Sequence, residues 1–158
     1  MKTMRIAVLL SFSLWGASLP LQACSYDGQF NNPFKESFPG ALDIAIATQE
    51  AVSEKQLEHL QLLDGAQGLR RVSWWLTLMA KQNTTALESV SYIYLVDSHL
   101  WSKVSEGQRV EIHVSPAEGA ESRDSQVLLL SEAALQAIVN EQVDLKEALD
   151  LGIAQYAS

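Results

Sequence analysis

Residues 88 to 104 read "ESVSYIYLVDSHLWSKV", and their periodicity separates an all-helical chain from one built on a sheet. Val90, Tyr92, Tyr94 and Val96 alternate with Ser91, Ile93, Leu95 and Asp97, and the β-branched and aromatic load suits a pleated surface. A strand is therefore predicted from 90 to 97. His99, Leu100 and Trp101 either continue it or start a short helix, and the pattern leaves both open. "EGQ" at 106–108 turns the chain. "RVEIHV" at 109–114 alternates Val110, Ile112 and Val114 with Arg109, Glu111 and His113, which predicts a half-buried strand. After the polar loop "SPAEGAESRDS", "QVLLL" at 126–130 is a third strand, and "IAQY" at 153–156 could add a last one.

On both sides of this region the period lengthens to that of a helix. Ile44, Thr48, Ala51, Val52, Leu60 and Leu63 share much of one helical face, so a helix is predicted from 41 to about 63. "DGAQG" at 64–68 ends it, with Gly65 suited to a left-handed cap. A second helix over 69–81 is apolar on Val72, Trp75, Leu76 and Met79, and the short glycine turn makes the two a helical hairpin. At the other end, Ser131 is an N-cap for a helix whose stripe is Ala134, Leu135, Ile138 and Val139, which places Leu135 and Ile138 in the core. Asp144 and Glu147 form a capping-box-like start for "LKEALDL", which Gly152 closes. The expected fold is α+β: an N-terminal helical hairpin, a small mainly antiparallel sheet and two C-terminal helices, in one domain from 41 to 158.

Val127, Leu130, Ser131, Leu135, Ile138, Asp144, Ala148, Leu149, Gly152 and Ile153 give the segment 127–156 the order strand, capped helix, second capped helix, glycine, strand. This order resembles the end of sterol-carrier-protein-like domains. That resemblance implies either a tunnel for apolar molecules or a non-catalytic accessory module. One position departs from the family pattern: where it takes glycine after the first of these helices, this chain has Asn140-Glu-Gln.

The N-terminus has the layout of an export signal. Lys2 and Arg5 precede an apolar stretch from Ile6 to Leu19, too short to span a bilayer as a permanent anchor, and Pro20 breaks the helix before a short end at Ala23. Leu21-Gln-Ala-Cys24 resembles the lipobox of bacterial lipoproteins, in which the cysteine is acylated and becomes the new N-terminus. Pro20 also suits an ordinary cut after Ala23. Cys24 is the chain's one cysteine, so in an oxidising compartment it has no intramolecular partner, and acylation would remove that liability. Ser25 after the cysteine resembles the outer-membrane sorting pattern. The chain thus divides into a signal at 1–23, a tether or loop at 24–40, and the domain. The expected location is the periplasmic side of the envelope, with membrane contact through the lipid alone.

Removing the signal takes Lys2 and Arg5, leaving 9 basic against 19 acidic residues, a net charge near −10. That acidity excludes nucleic acid and electrostatic adsorption to anionic lipid. No nucleophile motif stands out: Ser91, Ser98 and Ser102 lie in no glycine-flanked elbow, so no enzyme, cofactor or catalytic residue is expected. The function expected is binding, of an apolar small molecule or an envelope protein. Trp75 and Leu135 are the candidate residues lining a pocket, while Trp74, Trp75, Trp101, Tyr92 and Tyr94 together are read first as core packing, with a ligand or partner surface as the alternative. The alternative is a metal-binding periplasmic protein. Asp97-x-His99 and Glu111-x-His113 each put a carboxylate and an imidazole on one strand face, and pairing of those strands would bring the four together.

Overall fold

The structure, a computed structural model, describes residues 38–107, 109–112 and 126–157. In it the stretch quoted above is a hairpin. Strand β1 (Val90–Leu95) and strand β2 (Leu100–Ser105) pair antiparallel, Leu95 opposite Leu100 and Tyr94 opposite Trp101. Neither continuation foreseen for 99–101 occurs. A turn over 96–99 intervenes, and His99, at φ 55, supplies its left-handed residue. Histidine is one of the few non-glycine residues enriched there, so the turn carries no glycine to announce it.

Strand β3 (Arg109–Ile112) pairs antiparallel with β2, strand β4 (Gln126–Leu130) parallel with β1, and strand β5 (Ala154–Ala157) antiparallel with β4. The sheet order is β3-β2-β1-β4-β5, with one parallel pair among four, and helices flank it in sequence; the fold is α+β. A register shift between Val90 and Tyr92 turns Val90 to the same side as Ile93. Beyond it the alternation is strict. Tyr92, Tyr94, Trp101, Val127 and Leu129 make one face; Ile93, Leu95, Leu100, Leu128 and Leu130 make the other. Both faces of the central strands are buried, as the position of β1 and β4 inside the sheet requires.

Helix α1 is Ala41–Ser53 and helix α2 is Gly65–Gln82. They do not form the expected hairpin. Ala41 and Ile44 pack on the Tyr92–Tyr94 face, whereas Val72, Leu76, Met79 and Ala80 pack on the opposite one, which the last turns of α1 reach through Ala47, Ala51 and Val52. Helix α1 also stops ten residues before the expected end. Lys55 takes the left-handed conformation at φ 61, its amide bonds to Val52 O and that of Gln56 to Ala51 O, the two bonds of a Schellman stop. Residues 54–64 then carry the chain around the end of the sheet, and Gly65, left-handed as expected, opens α2 instead of closing α1. Of the tether or loop expected at 24–40, residues 24–37 lie outside the described residues. Phe38 packs edge-on against Trp101 at 5.2 Å and lies 5.8 Å from Tyr94, so the domain includes it.

Helix α3 (Glu132–Val139) and helix α4 (Leu145–Asp150) start on the expected caps: Ser131 Oγ accepts from Ala134 N at 3.0 Å, and Asp144 Oδ1 from Glu147 N at 2.7 Å. Leu135 is fully buried and Ile138 nearly so. Helix α3 ends in the same stop as α1, with Glu141 at φ 58 and bonds from Glu141 N to Ile138 O and Gln142 N to Ala137 O. Helix α4 does so with Gly152 at φ 72. Glu141 thus occupies a glycine conformation without glycine.

Two expectations follow. Leu135→Ala leaves a cavity in a closed core and should cost about 2–5 kcal/mol in denaturant unfolding. Glu141→Gly removes a left-handed penalty of roughly 1–2 kcal/mol and adds some chain entropy, so it should raise stability by about 0.5–1 kcal/mol.

Candidate functional site

Because β1 and β4 run parallel, their carboxyl ends lie side by side, and the turn at 96–99 meets the start of α3 there. Carboxyl ends of parallel strands are the usual ligand position in open sheets with helical crossovers. At this end Asp97 Oδ2 accepts the backbone N–H of Glu132 at 2.5 Å. Ser131, the N-cap residue itself, accepts from Ala134 N, so Asp97 supplies a second, non-local cap to the orphan amides of α3. The Glu132 side chain is itself buried, with Arg71 Nη2 of α2 at 3.6 Å. The same guanidinium donates through Nη1 to Gln61 O at 2.9 Å and lies 4.8 Å above the Trp75 ring. One cation therefore ties the 54–64 segment, α2 and α3 together.

Desolvation pushes the Asp97 carboxyl up to about 6, the neighbouring Glu132 carboxylate adds to this, and the bond from Glu132 N opposes it. Beside Asp97 opens a cleft of about 70 Å³ lined by Thr48, Gln49 and Val52 of α1, His59, Leu60 and Leu62 of the 54–64 segment, and Ala133 of α3. Thr48 is 5 % exposed and its hydroxyl makes no hydrogen bond, not even to the preceding helical turn.

The residues singled out in the sequence fall as follows. Asp97 and His99 lie in the turn, not on a strand face, and the His99 ring stacks on Tyr94 at 6.2 Å. Glu111 is exposed and pairs in register with Lys103, four positions along β2 from His99, so the four-residue cluster is not assembled from Asp97, His99 and Glu111; His113 lies outside the described residues. Cys24 lies outside them too. Among the described residues no group of three or more His, Cys, Asp or Glu is arranged to hold a metal ion. Trp75 is half-buried against the core and Leu135 is inside it; neither lines this cleft or two larger, more open ones among the described residues, around Asn83 and Ile138 and between Leu87 and Gly107. Tyr92, Tyr94 and Trp101 pack in the core, as expected, whereas Trp74, read with them, is 61 % exposed on the outer side of α2.

Three residues escaped the sequence reading. Glu132 follows an N-cap and looks like any solvated first-turn acid. Arg71 looks like the polar side of α2. Thr48 left a signal, a hydroxyl within an apolar stripe.

No protein-family model matches the chain, and neither the curated proteins nor the solved structures contain a significant match.

The desolvated Asp97 yields a pH prediction. The folded state holds the Asp97 proton more tightly than the unfolded chain, so this group's contribution favours folding most at low pH and declines as pH rises from about 4 to about 6. Two units correspond to on the order of 3 kcal/mol. Asp97→Asn keeps an acceptor for Glu132 N and drops the charge. Its unfolding midpoint should exceed that of the wild type at pH 7.5, with the gap closing by pH 4. A variant less stable than wild type at pH 7.5 would show that the ionised carboxylate is a net stabiliser.

Proposed function

We propose that the chain is an exported, non-enzymatic binding or accessory protein, held to the periplasmic side of the envelope by lipid on Cys24, that takes its ligand at the cleft beside Asp97. The observation that carries the binding half is the Thr48–Asp97 pair. Thr48, with a buried hydroxyl that lacks a partner, and Asp97, with a desolvated carboxylate, both line one opening in a domain whose central residues are enclosed. Such groups oppose stability, and sites that oppose stability are where function is found. The anchoring half rests on Leu21-Gln-Ala-Cys24 behind a basic and apolar leader. Among the described residues no helix is long and apolar enough to cross a membrane, so the lipid would supply the attachment.

The order β4, α3, α4, Gly152, β5 supports the resemblance to sterol-carrier-protein-like domains, and the left-handed Glu141 accounts for the departure at that position. Members of that family that act as accessory modules fit the absence of a nucleophile motif from the sequence. An interior apolar tunnel has less support, because Leu135 is enclosed by core side chains.

A second reading, docking of an acidic envelope partner, is favoured by Trp74. It is 61 % exposed on α2, with Arg70 one turn before it and Lys81 two turns after it on the same stripe, in a helix without acidic residues.

In a bacterial host the wild-type chain should fractionate with membranes and incorporate labelled palmitate, while Cys24→Ser should be released or left unprocessed. Soluble wild-type protein with an unmodified thiol would remove the anchor from this reading.

A further inference from the structure

The chemistry of the cleft selects its ligand. Asp97 presents a carboxylate whose Oδ2 is engaged by Glu132 N. Its charged neighbour is Glu132, and the guanidinium of Arg71 lies beyond it, 3.6 Å from Glu132. His59 stands on the exposed rim, and His99 belongs to the same turn as Asp97. Asp97 itself has no cation within ion-pair distance among the described residues, in surroundings that desolvate it. An anion would meet repulsion from both acids. A neutral alcohol could satisfy Thr48 but would leave the carboxylate without a counter-charge, the costly arrangement for a buried ion. A primary ammonium group suits both, since it carries three N–H donors and a positive charge, the complement of a hydroxyl oxygen and a carboxylate.

We propose that the cleft between α1, the 54–64 segment and the N-terminus of α3 binds a primary ammonium group, with Thr48 Oγ1 and the Asp97 carboxylate as its acceptors. This rests on the reading of the cleft as a ligand site. A volume of about 70 Å³ admits a headgroup and little more. The remainder of the ligand leaves over Val52, Leu60, Leu62 and Ala133, where Leu62 is 52 % exposed and offers an apolar lip to a short alkyl chain. The ligand class is therefore a small alkylamine or a molecule ending in one. A bound cation favours the ionised form of Asp97, so affinity falls as pH drops below about 6, while the amine stays charged throughout.

The test uses the full-length chain, exported and processed in a bacterial host, titrated by calorimetry and by amide NMR at pH 7.5 with n-butylammonium chloride, n-butanol and sodium butyrate at matched ionic strength. Butylammonium should saturate, moving the amides of Val52, Asp97 and Ala133, and should bind at least tenfold more weakly at pH 5. Asp97→Asn and the isosteric Thr48→Val should each weaken it at least tenfold, with the remaining spectrum unchanged. If butanol or butyrate saturates the same amides as tightly, or Asp97→Asn binds the amine unimpaired, the ligand class is wrong while the cleft remains a binding site. If no compound moves those amides, the proposal fails together with the reading of the cleft as a ligand site.

Discussion

The parallel pairing of β1 with β4 is the constraint from which the rest of the structure follows. A parallel neighbour cannot be reached by a tight turn, so β4 arrives by a long return from the far edge strand β3. With β2 and β5 on its flanks, the pair sits inside the sheet and must be apolar on both faces. Val127, Leu128, Leu129 and Leu130 form a continuous apolar run for that reason, as does the span from Tyr92 to Val96. Two apolar faces need two covers. The helices are accordingly divided between them, α1 with Phe38 on the Tyr94 side and α2 with α3 on the Leu128 side.

The same pairing creates the polar corner. Strands that run side by side end side by side, so a turn and a helix start are forced into contact where each has unpaired backbone groups. Asp97 resolves part of that problem by accepting from Glu132 N. Its desolvation, next to a second buried acid, is the consequence. Arg71 offsets Glu132 rather than Asp97. What remains is a charge placed for geometry and left without a counter-ion from the described residues, adjoining a hydroxyl in the same condition. Local choices across the rest of the fold agree with one another: apolar alternation, caps on α3 and α4, and Schellman stops on three helices. The agreement breaks at the corner and at Ser102 of β2, whose buried hydroxyl also lacks a partner; of the two, the corner opens on a cleft, which is the pattern expected of a functional position.

The legible parts of the fold were those in which one residue type had one job. Ser131 and Asp144 are caps in the sequence and in the structure, and the alternation of Val110 and Ile112 marks the inner side of β3. The illegible parts share a cause. Lys55, His99 and Glu141 all adopt the left-handed conformation that glycine would have announced. Lys55 hid the end of α1 and so produced a helix ten residues too long and a hairpin that does not exist. His99 hid the β1–β2 turn. Periodicity also cannot say which face of a sheet a helix covers, because that depends on the path of the connection and not on the stripe. The site was half legible: Asp97 was marked for its spacing to His99, but the partners that define its chemistry, Glu132, Arg71 and Thr48, come from 35, 26 and 49 residues away.

Net acidity, used above only to exclude partners, has a positive role once the cleft is read as a cation site. A chain with a formal net charge of −8 draws small cations toward its surface, with a reach set by the Debye length of roughly 8–10 Å at physiological salt. That field is not selective. Selectivity requires a place where the cation can shed water and meet fixed acceptors, and a surface carboxylate does not offer it, because water competes on equal terms. Asp97 differs from the chain's exposed acids in this respect. The helix and turn that bury it have already met the cost of its desolvation during folding, so an arriving ammonium group need not. The dispersed acids gather the ligand and the buried one retains it, and this division of labour gives a physical reason for an otherwise unfavourable carboxylate to stand at the end of β1.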